Sequence, residues 1–385
     1  MNDLKAWIMG HRIASIAIGL LAVTLALIVM SMSSNKPAQK LDPQSQIGVE
    51  WIKPAGTEAA YAGNEACKSC HPREFDPYSK SPHSKTVRAI PQGEERKEFD
   101  SSQTVFDEHH NISYSVLKTE GKNQFVANTG KAEARATAKW LFGSGTHAWT
   151  YLGQNGPAFL QFRISYYAAD GSWNFTPGSG PNVPLTNPLG DVYTSAQAAA
   201  CFGCHSTVLT GTRQNLDIAH SVLNVGCESC HGPSKAHVES ASAGTSAGRA
   251  MVKPALHTGP EIMTMCGACH RIPVAVSDEA AANNTQIARF PGLALVRSRC
   301  FKESAGKLSC ISCHDPHQST RQQQASFESK CLNCHSKPHG ATCTLNEHTG
   351  CINCHMPSES IARKLPLNFH NHWIRRNPNA PPGSE

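Results

Sequence analysis

Seven short stretches of the sequence combine two cysteines and a histidine in one fixed arrangement, Cys-x-x-Cys-His, and they use fourteen of the sixteen cysteines. Two thiols at this spacing can each add to a vinyl group of one porphyrin, and the next residue can offer its imidazole to the iron. The predicted attachment cysteines are Cys67, Cys70, Cys201, Cys204, Cys227, Cys230, Cys266, Cys269, Cys310, Cys313, Cys331, Cys334, Cys351 and Cys354. The predicted proximal iron ligands are His71, His205, His231, His270, His314, His335 and His355.

Zinc sites and thioredoxin-like redox pairs also use Cys-x-x-Cys, but neither requires histidine as the next residue. At this composition, histidine would follow all seven pairs by chance with a probability on the order of one in a billion. The sequence therefore predicts seven covalently attached haem c groups rather than zinc or disulfides. It also predicts an extracytoplasmic location, where such attachment takes place.

The second axial ligand decides between electron transfer and catalysis. Thirteen histidines remain outside the motifs; His11 lies near the N-terminus, and His109 and His110 lie in a polar stretch that predicts a solvated surface. Ten candidates remain for seven irons. Methionine is scarce after the N-terminal segment, and the rest of the chain contains only Met251, Met263, Met265 and Met356. We therefore expect mostly bis-histidine ligation, which favours low reduction potentials.

Some of these candidates follow a motif closely, as His237 does in "GCESCHGPSKAHVE". His237 follows too soon to cross the ring of its own haem, so we expect it to reach a neighbouring one. His317 in "CHDPH" and His339 in "CHSKPH" repeat this form, which favours a ligand role because imidazole is the commonest metal-binding side chain.

Two cysteines, Cys300 and Cys343, lie outside the motifs. In an oxidising compartment they can form a disulfide with each other or remain buried thiols, and the sequence leaves both open.

Residues 13–32 form an uncharged apolar run long enough to cross a bilayer, with basic residues before it. They predict a membrane anchor or a cleaved signal. Either places the remaining chain on the periplasmic side of a bacterial inner membrane. The net charge of +6 is scattered rather than clustered, which gives no basis for nucleic-acid binding.

The chain divides by composition and motif spacing. We expect the anchor or signal at 1–32, a flexible linker at 33–60, a first haem unit at 61–91, a β-rich insert at 92–190, a six-haem domain at 191–375 and a disordered tail at 376–385. Alternation around Ile112 and "AFLQFRISYY" before "SWNF" predict hairpins in the insert. Elsewhere we expect short helices such as "TSAQAAACFGCH" and loops. The predicted fold is therefore mostly α and irregular, with haem filling the core.

Several phrases resemble the multihaem cytochromes grouped with the tetrahaem cytochrome of nitrifiers, pentahaem nitrite reductase and octahaem hydroxylamine oxidoreductase. These phrases are "GNEACKSCHPREFDPYSKSPHS", "GCESCHGPSKAHVE", "LSCISCHDPH", "CINCHMP", "FHNHWIRR" and "FGSGTHAWTYL". The resemblance covers most of residues 61–375 and implies haems stacked in parallel and perpendicular pairs. It implies distal ligands at His83, His237, His317, His147 and His372, with His339 or His348 completing the set and His220, His257 and His370 in reserve.

All seven motifs end in histidine, whereas the nitrite reductases mark their active haem with a lysine. The resemblance therefore does not carry an enzymatic activity to this chain. The leading hypothesis is an electron-transfer protein that exchanges electrons with redox partner proteins or with a membrane quinol-oxidising complex. One alternative is an oxidoreductase whose five-coordinate haem, most simply the first, binds a small nitrogen or sulfur compound. A second is a haem-bearing subunit of a larger respiratory complex.

Overall fold

The computed structural model describes residues 60–375 except 213, 246–250, 252, 254–255, 271–276, 283, 337–349 and 363–364. The apolar run 13–32, nearly all of the predicted linker 33–60 and the predicted tail 376–385 lie outside the described residues. So do Cys343, His339 and His348. In the part of the chain that is described, no helix has both the length and the apolar character needed to cross a membrane.

Short helices present the haem-attachment motifs. The first motif begins in a 3-10 helix, Asn64–Cys67, and its histidine caps the following α-helix. Three of the other six motifs end a helix, and two coincide with a whole helix. In the fifth motif the helix covers every residue except the histidine. The helices are α1 Pro72–Lys80, α2 Ser195–His205, α3 Cys227–His231, α4 Lys235–Ser242, α5 Gly259–His270, α6 Asp278–Ala282, α7 Pro291–Leu295, α8 Arg299–Glu303, α9 Cys310–Cys313, α10 Thr320–Gln323, α11 Phe327–His335 and α12 Cys351–His355.

Fifteen strands lie in the described residues and pair antiparallel throughout. One sheet has seven strands, with the order β1-β6-β7-β8-β11 and β9 and β10 joined to β7; a second has the order β2-β3-β4-β5. The strands are β1 Val87–Ala89, β2 Val105–Asp107, β3 Ile112–Thr119, β4 Lys122–Asn128, β5 Glu133–Thr137, β6 Trp140–Phe142, β7 Ala148–Asn155, β8 Ala158–Phe162, β9 Ile164–Tyr167, β10 Ser172–Phe175, β11 Gly190–Tyr193, β12 Ser206–Gly211, β13 Leu216–Leu223, β14 Ser358–Ser360 and β15 Asn368–His370.

The prediction of a mostly α and irregular fold is wrong. Eleven strands follow one another between Val87 and Tyr193, and two further hairpins, β12–β13 and β14–β15, lie among the later motifs. The motifs account for the error, because each occupies only about one helical turn. The chain between them can therefore pair as strands.

Both predicted hairpins exist, with one change of extent. Strands β3 and β4 pair from Ser113 to Asn128 around Glu120 and Gly121, whose φ values of 50° and 70° fit a type I′ turn. In "AFLQFRISYY" only β9 pairs with β10; the first half is β8, which pairs with β7 and β11. The chain changes partner at Arg163, which separates the two strands.

Aromatic side chains fill the core between the two larger sheets. Phe125 and Phe162 stack with their ring centroids 3.8 Å apart, and Trp173 contacts Phe125 edge-on. Beside this core, Arg163 and Asp107 form a fully buried ion pair with 3.3 Å between Nη2 and Oδ2. Burial alone would raise the pKa of Asp107, but the backbone N–H and imidazole of His110, together with Arg163, lower it. The carboxylate is therefore held in its charged form.

A separate aromatic cluster fixes the helix of the second motif to the large sheet. Phe202, a variable residue of that motif, is fully buried against Trp140, Phe142 and Phe159. The helix begins at a capping box in which Thr194 and Gln197 satisfy each other's backbone N–H groups. The β-rich region thus serves as the support on which one haem-attachment helix is built.

Candidate haem-attachment centres

Four motif histidines each face an imidazole from a distant part of the chain. The ring centroids are 6.5 Å apart for His71 and His237, 6.0 Å for His270 and His83, 6.2 Å for His231 and His317, and 6.1 Å for His314 and His372. Two metal–nitrogen bonds of roughly 2.0 Å, together with half the width of each ring, separate two axial imidazoles by about 6.3 Å between centroids. Each of the four gaps therefore fits one iron between two axial imidazoles.

Backbone carbonyls orient several of these rings. Nδ1 of His83 lies 3.3 Å from the carbonyl oxygen of Pro316, and Nδ1 of His372 lies 2.9 Å from that of His370. A carbonyl oxygen can only accept, so Nδ1 must carry the proton in both rings, and Nε2 keeps its lone pair for a metal. Nδ1 of His317 is held in the same way by the carboxylate of Asp315, at 2.9 Å.

The protein around these rings keeps them uncharged. Burial, together with neighbouring histidines, lowers the pKa of both His270 and His372 to about 4, although part of His270 reaches solvent. Burial also lowers the pKa of His83 and His314. At neutral pH these imidazoles are therefore in the neutral form that binds a metal.

The motif histidines His205 and His355 have different surroundings. His205 donates from Nδ1 to the carbonyl oxygen of Thr86 at 2.9 Å, and the Thr86 hydroxyl donates back to the carbonyl oxygen of His205 at 3.0 Å. Phe142 packs edge-on against the His205 ring, 5.2 Å away. His355 donates from Nδ1 to the carbonyl oxygen of Arg375. These contacts orient Nε2 of His205 and His355, but they bring no second imidazole to face either ring.

The remaining histidine candidates that the structure describes make other contacts. His147 packs on Phe369 at 4.4 Å between ring centroids, and His370 donates from Nδ1 to the carbonyl oxygen of Met356. His220 and His257 lie beside acidic side chains of their own segments, Asp217 and Glu261. The candidates His339 and His348 belong to the segment that the structure does not describe.

The motifs lie next to one another through their cysteines. The thiols of Cys67 and Cys227 are hydrogen-bonded, as are those of Cys204 and Cys269. Cys266 is joined to Cys310 in the same way, and electrostatic contacts link the fifth motif with the sixth and the sixth with the seventh. An electrostatic contact between Cys230 and Cys266 links the third motif with the fourth. The motifs are thereby connected in the order 1-3-4-5-6-7, with the second beside the fourth.

The hydrogen bond between Cys67 and Cys227 lowers the pKa of the Cys67 thiol and raises that of Cys227. Within the described residues the cysteines carry no disulfide. Cys300 is a free thiol near Cys334, and its predicted partner Cys343 lies outside the described residues. The disulfide therefore stays a prediction.

The first motif docks directly on the third. Asn64 accepts a hydrogen bond from the backbone N–H of Cys227 at 2.9 Å and donates to the Tyr78 hydroxyl, which in turn donates to the carbonyl oxygen of Val225. Glu228, in the middle of the third motif, accepts the backbone N–H groups of Ala62 and Gly63. The first haem unit is thus built into the structure around the third motif.

Sequence reasoning missed Asn64, Tyr78, Thr86 and Glu228 as supports of these centres. Three of them act through backbone groups that no sequence pattern reveals. Glu228 did carry a signal, since it is the only acidic residue among the fourteen variable positions of the seven motifs.

A cavity of about 870 Å³ opens near Phe106 and His109 of the β-rich region and Arg289, Ile361 and Leu365 of the later chain. Among the described residues its lining contains no part of a motif. The cavity is therefore separate from the haem-attachment centres.

Comparison with known proteins found one matching family and two similar structures. The family described as cytochrome c554 and c-prime matches residues 66–137 and 187–232. The chain is also similar to the outer cell wall cytochrome OcwA, with 14% identity, a TM-score of 0.48 and coverage of 82% of this chain and 80% of that one. A second similar structure is an undecahaem cytochrome from the S-layer of Carboxydothermus ferrireducens, with 14% identity, a TM-score of 0.41 and coverage of 79% and 52%. No curated protein sequence matches.

The family match and the repeated motif together support a c-type cytochrome with several covalently attached haems and a function in electron transport. The match does not extend to the narrower superfamily of nitrifier cytochromes that the sequence resembles.

Proposed function

We propose that this chain is a heptahaem c-type cytochrome that transfers electrons outside the cytoplasm. The observation that supports the proposal best is the set of four facing imidazole pairs, whose centroids lie 6.0–6.5 Å apart. An iron with two imidazole ligands has no position left for a substrate, which favours electron transfer over catalysis.

The proposal assigns the axial ligands by these pairs. His237 serves the first motif, His317 the third, His83 the fourth and His372 the fifth, each opposite the motif histidine that it faces. Each of the four comes from outside the motif that it serves. For the second, sixth and seventh motifs, whose proximal ligands are His205, His335 and His355, we propose second ligands from among His147, His339, His348 and His370.

When bound, haem supplies the one-electron chemistry of its iron, and the polypeptide sets the conditions. The carbonyls that accept from Nδ1 of His83 and His372 fix the direction of Nε2 in these two rings, and burial keeps the imidazoles of His270 and His372 neutral. The attachment cysteines of different motifs lie next to one another, which places their haems close together, as electron tunnelling requires. The redox partners determine the direction of electron flow, and we propose that these partners are proteins or a quinol-oxidising complex of the membrane.

The location and the closer relationships are further parts of the proposal. Haem attachment through Cys-x-x-Cys-His supports a position on the periplasmic side of the cytoplasmic membrane, and anchoring by residues 13–32 stays a prediction from the sequence. The quoted phrases support a place beside the cytochromes of nitrifiers and their relatives. The first motif no longer stands out as a five-coordinate catalytic centre, because His237 faces His71.

The experiment that tests the proposal counts haems and reads their ligation. Intact mass of the denatured polypeptide, with pyridine haemochrome absorbance per chain, is expected to give seven covalently bound haems. Electron paramagnetic resonance of the oxidised protein is expected to show low-spin iron for the paired centres. Fewer haems per chain would overturn the count, and high-spin iron as the main signal would overturn the function.

A further inference from the structure

Glu228 is a buried carboxylate between two haem-attachment motifs. It is 1% exposed and occupies a variable position of the third motif, between Cys227 and Cys230. Its charge also acts on the Cys67 thiol of the first motif and on Tyr61. One acidic group is therefore close to the attachment points of two haems.

The hydrogen bonds of Glu228 fit an ionised carboxylate. Oε1 accepts the backbone N–H of Ala62 at 2.9 Å, the backbone N–H of Ser234 at 2.9 Å and the Ser234 hydroxyl at 2.6 Å. Oε2 accepts the backbone N–H of Gly63 at 3.0 Å. A carboxylate only accepts, so four converging donors match the charged form.

These four donors are all neutral groups. They stabilise the negative charge by hydrogen bonding but do not cancel it, as a lysine or arginine side chain would. A buried charge is screened far less than one in water, so its field extends to nearby groups. A haem iron gains one positive charge on oxidation, so a fixed negative charge beside it stabilises the oxidised state.

We propose that Glu228 tunes the haems of the first and third motifs, lowering the reduction potential of both. The tuning rests on the proposed haem chain and acts through electrostatics, since the side chain lies within a motif without being an axial ligand. The hydrogen bonds to Ala62 and Gly63 give it a second role as a positioning residue, because they hold the first haem unit against the third motif.

The test compares variants of the holoprotein by spectroelectrochemical redox titration. Glu228→Gln removes the charge and keeps the size of the side chain. At an effective dielectric constant of about 20, a unit charge roughly 12 Å away changes the reduction equilibrium about tenfold. For a one-electron couple this corresponds to about 59 mV. We expect two of the fitted potentials to rise by about this amount.

Two further variants separate charge from structure. Glu228→Asp keeps the charge but shortens the side chain, so its hydrogen bonds and thermal stability should weaken while the potentials stay near those of the parent protein. Glu65→Gln removes an equal charge two residues before Cys67 at an exposed position, where water screens it. It should leave all potentials unchanged.

The outcomes distinguish this inference from the proposed function. Each variant is first checked for haem content per chain; a parent protein without covalent haem would refute the proposed function itself. With haem intact, unchanged potentials in Glu228→Gln would overturn the tuning. Equal shifts in Glu228→Gln and Glu228→Asp would overturn it too, because they would trace the effect to packing.

Discussion

Removing the imidazole of His237 should turn one haem iron from low spin to high spin without disturbing the fold. The ring lies 6.5 Å from that of His71, which is the separation expected of two ligands on one iron. His237 lies on α4, whose neighbouring residues Lys235 and Glu239 are exposed, and alanine is the residue most compatible with a helix. In the proposed heptahaem protein one of seven irons would lose its second ligand, so the low-spin signal should fall by about one seventh.

The assay is electron paramagnetic resonance of the oxidised protein with spin quantitation. His257→Ala is the matched control, because His257 is exposed and faces Glu261 at 3.5 Å. Added imidazole should restore the low-spin signal in His237→Ala by filling the open position. The ligand assignment would be refuted by a His237→Ala protein with full low-spin intensity, or by an equal loss in the control.

Three other substitutions test the supports of the site by urea and thermal unfolding. Asp107→Asn leaves Arg163 buried without its partner and should cost about 3–5 kcal/mol at neutral pH. The folded-state pKa of Asp107 is lowered, so its contribution to stability is complete above about pH 4 and is lost as the pH falls through the lower folded value. The free energy of unfolding of the variant should therefore lack this dependence on acid pH. Equal pH slopes in the variant and the parent protein would contradict the prediction. Gly226→Ala places a Cβ 2.2 Å from the side-chain amide oxygen of Asn64, which holds the third motif, and should lower the free energy of unfolding by about 1–3 kcal/mol. The control Gly180→Ala has open space around the new Cβ and should leave the stability unchanged. Phe202→Ala should lower the free energy of unfolding by about 3–5 kcal/mol and loosen the helix of the second motif. An unchanged unfolding midpoint would argue against the role of Phe202 in holding this helix on the large sheet.

The covalent part of the site is open to prediction from the sequence because that part is local. Two cysteines and a histidine within five residues place both thioethers and the first ligand on about one helical turn, wherever the chain goes next. The helix ending at His205 was predictable for the same reason, since Thr194 and Gln197 mark its start. The second ligands are different, because His83 meets His270 across 187 residues of sequence.

The strand content was underestimated for a related reason. In strand β13, Leu216, Ile218 and Val222 are partly buried and His220 is exposed, so the alternation of apolar and polar residues is weak. The strand also lies close to a motif whose pattern favours a helix. Strands β14 and β15 have three residues each, too short for any period to show. Their pairing is decided by tertiary contacts, such as Leu367 packing with Ile361 and Tyr167.

The facing histidines also bear on how the chain reaches its final form. His71 and His237 are 166 residues apart and His314 and His372 are 58 apart, so binding of each pair to one metal closes a long loop. By analogy with disulfides, closing a loop of about 100 residues removes roughly 4.7 kcal/mol of unfolded-state entropy. The loops overlap along the sequence, so together they cross-link most of the polypeptide between His71 and His372. Such a chain should resist heat and detergent after weaker contacts are lost, and it should lose this resistance once a strong competing ligand such as cyanide displaces the imidazoles from the irons.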